Sequence, residues 1–133
     1  MNQTMSNNKE YQISGIYGKQ AYLCGCVSVP LVLFHEPAFE KLSMGARVLY
    51  GFLLEKMGRD SECRWLDEDD HIYIVYPVEK IMEDMNIEKT LAVQYINELE
   101  NVRLLVCKSR GNGKSEALYP QKIKYFYRPN NEA

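Results

Sequence analysis

An α+β fold is what this sequence predicts, and three observations carry the prediction. Two segments, "KLSMGARVLYGFLLEKMGRD" and "EKTLAVQYINELENV", repeat apolar residues at steps of three and four, as helices with one buried face do. "CRWLDEDDHIYIVYP" sets β-branched and aromatic residues on either side of an acidic turn, the pattern of a hairpin. "LLVCKSRGNGKSEALYPQKI" is a second hairpin pattern, with Gly111 and Gly113 at its tip. The chain has 133 residues, 46% apolar and 26% charged, which is enough apolar material for one core and argues against wholesale disorder. No apolar run approaches the roughly 18 residues that suggest a membrane span. The polar start "MNQTMSNNKE" lacks the apolar segment of a signal peptide. The expected compartment is the cytoplasm, with no membrane partner and with thiols kept reduced.

The elements follow in order. Residues up to about 20 are polar with little periodicity. "AYLCGCVSVP" and "LVLFHEP" are apolar and β-favouring, and predict a short strand or an extended lead-in ended by Pro30 or Pro37. In the first strong helix Ser43 suits an N-cap and Gly58 a C-terminal stop, while Ala46, Leu49, Tyr50, Leu53, Leu54 and Met57 form the apolar stripe. Gly45 and Gly51 cost such a helix about 1 kcal/mol each against alanine if exposed, and Gly51 is expected to permit close helix packing. In the first hairpin Arg64, Trp65 and Leu66 lead in, "DEDD" turns, and "HIYIVY" leads out. "PVEKIMEDMN" predicts a short helix, with Pro77 in its first turn, Glu79 near the positive end of the dipole, and an apolar stripe of Val78, Ile81, Met82 and Met85. After a brief turn at Asn86 comes the second strong helix. There Ala92, Ile96, Leu99 and Arg103 share one face, and at roughly 100° per residue Thr90, Gln94, Asn97 and Asn101 share the opposite one. In the last hairpin Asn112 between two glycines suits a tight reversal, and Pro120 suggests an edge strand.

A short helix followed closely by a longer one is the helix-turn-helix order, and a hairpin directly after it is the addition that defines a winged helix. The predicted fold is therefore a winged helix-turn-helix with an extra β-hairpin between its first and second helices. Residues 1–22 are expected as a flexible N-terminal arm, 23–128 as the winged-helix domain and 129–133 as a frayed tail. The amide-rich face of the second strong helix suits reading base edges in a major groove about 12 Å wide, with Gln94 and Asn97 as the readers. The wing tip would hold phosphates with Lys108, Arg110 and Lys114 around Asn112. The net charge of −2 opposes nucleic-acid binding if taken as a whole. Its distribution does not. Glu55 to Glu100 holds thirteen acidic and five basic residues, a balance of −8, and Arg103 to Arg128 holds seven basic and one acidic, a balance of +6. A chain so divided can show phosphate a positive face.

The segment from "FHEPAFEKLSMGARVLYGFLLEKM" through "WLDEDDHIYIVYPVEKIMEDMN" and "LAVQYINELENVRLLV" to the "RGNGK" tip resembles the N-terminal domain of the replication initiator protein A family. The match covers about residues 30 to 123, and the hairpin of tryptophan, acidic turn and aromatic-rich strand is its distinctive part. The resemblance implies a winged helix that binds repeated double-stranded sites in the replication origin of a plasmid or mobile element. It also implies a homodimer and contact with replication proteins. Carried over by position, the recognition face would be Lys89, Thr90, Gln94 and Asn97, and the wing contacts Lys108, Arg110 and Lys114. Family initiators are usually longer, with a second, C-terminal domain, so the chain is expected to be a fragment or a stand-alone relative.

Other chemistry has weaker signals. Cys24 and Cys26 form C-x-C rather than the paired C-x-x-C of zinc ribbons, and are expected as reduced thiols that pack like small apolar groups. Asp67, Glu68, Asp69 and Asp70 lack the alternating spacing and closing glutamate of a calcium loop, and are expected as a solvated turn. "GNGKS" lacks the leading glycine of a phosphate-cradling loop. Neither of the two histidines sits in a catalytic motif, so the expectation is no enzyme, no metal and no cofactor. The alternative function is a winged-helix protein-interaction or transcription-regulator module without initiator activity. The acidic mean charge and the aromatics Tyr125, Phe126 and Tyr127 suit that alternative.

Overall fold

A computed structural model of the chain describes residues 10–16, 25–58 and 60–124. Its elements are α1 (Val32–His35), a 3-10 turn (Pro37–Phe39), α2 (Met44–Lys56), β1 (Arg64–Leu66), β2 (Ile72–Ile74), α3 (Val78–Met85), α4 (Lys89–Asn101), β3 (Leu105–Lys108) and β4 (Ala117–Pro120). The β1–β2 hairpin separates the two long helices α2 and α4, with α3 immediately before α4. The strands form one antiparallel sheet in the order β1-β2-β4-β3. This is the α+β, winged helix-turn-helix arrangement that the periodicities predict. The expected arm (1–22) and tail (129–133), and Tyr125, Phe126 and Tyr127, fall wholly or mostly outside the described residues.

One core joins the helices to one face of the sheet. Leu33, Leu49, Leu53, Ile74, Ile81, Ala92 and Leu99 are fully buried in it. Each of the leucines and isoleucines contributes roughly 1.5–3 kcal/mol by leaving water. Polar contacts tie the layers at their ends. Tyr50 of α2 donates its hydroxyl to the carbonyl of Gln121 just past β4, at 2.6 Å. Tyr76, after β2, donates to Asp84 of α3 at 2.7 Å, and Lys56 of α2 reaches the same carboxylate at 3.5 Å.

The structure corrects the sequence in four places. "LVLFHEP" holds a helical turn, α1, and not a strand. Arg47 explains it: this buried side chain of α2 donates from Nε to the Leu33 carbonyl (2.9 Å) and from Nη2 to the Phe39 carbonyl (3.2 Å). Its guanidinium also lies 4.9 Å from the centre of the Phe34 ring. Residues 25–30 form no strand. The second correction concerns the glycines. Gly51 does not serve helix–helix packing: a Cβ there would meet the Ser28 carbonyl oxygen at 2.8 Å, so it lets the lead-in backbone cross α2. Gly45 takes the helix-packing role, because the Tyr95 ring of α4 occupies the space its side chain would fill. Third, β4 is an interior strand, not an edge. Its Pro120 is tolerated because Gln121 N–H donates to the Leu104 carbonyl (2.8 Å), and alternation turns the proline nitrogen away from β3. On that other side β4 pairs with β2 only through Ile74 and Leu118. Fourth, Arg103 leaves the buried face of α4. It follows the helix with φ 66° and is exposed.

Gly51→Ala tests the crossing of lead-in and helix. On an open helix surface the change would stabilise by about 1 kcal/mol. Against the Ser28 backbone it is expected to destabilise by about 1–3 kcal/mol, read as a lower urea midpoint with an unchanged slope.

Candidate nucleic-acid interface

The α3–α4 pair is built around a sharp local turn. Asn86 closes α3 in the left-handed region (φ 55°, ψ 54°), and Ile87 N–H returns to the Met82 carbonyl at 3.0 Å. Asparagine tolerates that conformation better than most residues. Helix α4 then starts at Lys89, with no side-chain cap on its first amides. Ala92 and Leu99 anchor it in the core, while Thr90, Gln94, Asn97 and Asn101 are all exposed along its far side. Lys89 is exposed at its start.

A carboxylate ties α4 to the start of α2. Glu98 accepts from the Ser43 backbone N–H (2.7 Å) and from the Ser43 hydroxyl (3.0 Å). Ser43 Oγ in turn accepts from Ala46 N–H at 3.2 Å, the N-cap that the sequence predicts. Glu98 therefore completes the cap of α2 from another helix, 55 residues along the chain. It also accepts from Gln94 Nε2 at 2.9 Å. Partial burial pushes the Glu98 carboxyl up, but the Ser43 N–H, the Gln94 amide, the Ser43 hydroxyl and nearby Arg47 outweigh it and hold the group below the usual carboxylate range. Ser43 is legible as a cap because its signal is local. Its partnership with Glu98 has no local signal, and the sequence reading misses it.

The wing is the β3–β4 hairpin. Gly111, Asn112 and Gly113 take φ of 75°, 52° and 73°, three successive residues in the left-handed region. Arg110 is partly engaged within the turn, donating from Nε to the Ser115 carbonyl at 2.7 Å. Lys114 and Asn112 are exposed. At the wing's return, Ser115 and Glu116 meet Lys89 and Ile96 of α4 around a recess of about 220 Å³. The structure thus brings Lys89 and the end of the wing turn together.

Lys108 is placed elsewhere. Leu105 and Cys107 of β3 face the core, so Val106 and Lys108 face the opposite side of the sheet from α4. Lys108 Nζ sits 4.8 Å from the centre of the Tyr119 ring. Tyr119 donates its hydroxyl to Asp67 at 3.0 Å. That carboxylate also accepts from the Asp69 and His71 N–H groups (2.8 and 2.9 Å), which together with Tyr119 hold it below its ordinary range. The acidic turn is accordingly organised as a hydrogen-bonded turn whose first residue ties the two hairpins. Asp67, Asp69 and His71 also bring their side-chain ligand atoms within 4.8 Å of one another.

Comparison with known proteins adds a family. A family model described as the N-terminus of replication initiator protein A (RepA) matches residues 26–131. The chain belongs to this family. Among solved structures, the chain is similar to one described as the N-terminal domain of a DNA-binding protein, at 29% identity and a TM-score of 0.72, covering 91% of this chain and 92% of the other. A Rep–DNA complex is similar at 28% identity and a TM-score of 0.71, over 90% and 92% of the two chains. The structure of an MDR initiator follows at 25% identity and 0.67, over 85% and 89%. No curated protein matches the chain.

Glu98→Ala is expected to destabilise the fold by about 1–2 kcal/mol, because two amide or hydroxyl donors at the α2 terminus lose their acceptor. The pH dependence has a definite sign. A carboxyl whose folded pKa is depressed stabilises the fold above its unfolded value of about 4.3, and that contribution is lost as pH falls through the folded value. Urea denaturation between about pH 7 and about pH 3 should therefore show a shallower acid loss in the variant than in the parent.

Proposed function

We propose that the chain is the duplex-DNA-binding module of a replication initiator, and that it binds sequence-specifically through α4 and the wing. The observation that carries this is the exposed amide and hydroxyl stripe of α4, which starts beside Lys89, with Lys89 sharing a recess with Ser115 and Glu116 at the return of the wing. Membership in the RepA N-terminal family and similarity to a Rep–DNA complex support the reading.

In this reading α4 enters the major groove. Gln94 and Asn97 meet base edges, and Lys89 and Thr90, at the uncapped helix start, meet the backbone. Asn112, Lys114 and the outer nitrogens of Arg110 approach a flanking phosphate run. Lys108 is not part of the contact surface; it lies on the opposite face of the sheet. The sites would be origin repeats of a plasmid or mobile element, bound by a homodimer that also meets replication proteins. In this reading the chemistry is binding rather than nucleophilic catalysis. Cys107 illustrates why: burial, then the neighbouring Glu100, pushes its thiol up to about 12, far from the thiolate a nucleophile needs.

The alternative, a winged module that contacts proteins, draws on Trp65 and Leu66, which are 55% and 58% exposed beside the acidic turn. A salt series separates the two. With a duplex selected from a random pool, Lys89→Gln and Lys114→Gln should each weaken binding and each flatten the slope of log affinity against log salt by about 0.9. Unchanged affinity and slope in both variants would reject the interface. Absence of duplex binding by the parent chain would favour the protein-contact alternative.

A further inference from the structure

Resting on the DNA-binding reading, we infer that Glu98 is a positioning residue that holds the Gln94 amide so that its carbonyl faces a base bearing an exocyclic amine. Glu98 uses Oε1 for the Ser43 N–H at 2.7 Å, and Oε2 for the Ser43 hydroxyl at 3.0 Å and for Gln94 Nε2 at 2.9 Å. An ionised carboxylate only accepts, so the atom Gln94 turns toward it is the nitrogen. Glu98 is half-buried and braced against α2, whereas Gln94 is exposed. Among the described residues Gln94 Oε1 has no hydrogen-bond partner.

An unheld glutamine at this place would rotate its amide and offer either end to a base. Held at the nitrogen, Gln94 presents its carbonyl oxygen outward as an acceptor. In the major groove the matching donors are the N6 amine of adenine and the N4 amine of cytosine. Guanine and thymine present acceptors there and would leave Oε1 unpaired. The same carboxylate that caps α2 thereby gives α4 a preference at one base pair.

The experiment uses the full chain and a duplex selected from a random pool, then every single base-pair variant of that duplex. The parent should prefer adenine or cytosine at one position, and Gln94→Ala should lose that preference. Glu98→Ala should lose about three- to tenfold of discrimination at the same position, the worth of one hydrogen bond, with other positions within about twofold. The double variant should lose no more discrimination there than Gln94→Ala alone. Gly51→Ala, which is destabilised where the lead-in crosses α2, should keep the parent's discrimination. If Glu98→Ala fails to fold by circular dichroism, Glu98→Gln takes its place: with its amide oxygen kept on the Ser43 N–H, an NH2 donor stands where Oε2 accepted from Gln94. The positioning role is overturned, with DNA binding intact, if Gln94→Ala loses no single preference. The same holds if the Glu98 variant weakens all duplexes equally or leaves that preference unmoved. A parent chain that binds no duplex overturns the underlying reading and this inference together.

Discussion

One carboxylate reaching one serine pins α4 to the start of α2. Glu98 closes the cap of α2 from the neighbouring helix, and Gly45 lets the Tyr95 ring settle into the first turn of α2. Both contacts sit at the same end of α2, so the two helices are fixed at a point and cannot slide along one another without breaking a charge-assisted bond. The buried Ala92 and Leu99 hold the rest of α4 in the core. The far side of the helix carries Thr90, Gln94, Asn97 and Asn101 outward because the near side is clamped there.

A second constraint works through Arg47. A buried guanidinium is costly unless its donors are used, and here they satisfy carbonyls of the lead-in at Leu33 and Phe39. The residues before α2 are thereby wrapped onto it, and Gly51 removes the side chain that would hold the backbone of Ser28 away. The hydrophobic core sets the layers, while these polar contacts decide how the connecting segments lie across them.

The order and type of α2, α3, α4 and both hairpins were legible because their signals are local: apolar steps of three and four, a serine cap, an acidic turn, a glycine-tipped reversal. Errors arose where a distant group overrode a local preference. Val32, Leu33 and Phe34 favour a strand by composition, yet Arg47 takes the carbonyl of one of them and a helical turn results. Pro120 points to an edge by its chemistry, yet the register turns its missing donor toward a nearly unpaired side of an interior strand. In the candidate site, the outward face of α4 followed from helical geometry alone. The Lys108 placement did not, because period-two alternation becomes informative only once it is known which face of β3 is covered. The link between Gln94, Glu98 and Ser43 spans 55 residues, and no periodicity encodes it.

The sheet has a seam. β3 and β4 share four paired positions and β1 and β2 share three, but the ladder between the two ribbons is the single pair Ile74 and Leu118, supplemented by the Tyr119–Asp67 hydrogen bond and the Tyr73–Tyr119 ring contact. Mechanically this is two stiff plates joined by a rivet. A pull on the wing passes to the first hairpin through that rivet, and the acidic turn, tied to β4 by Asp67, helps to carry the load.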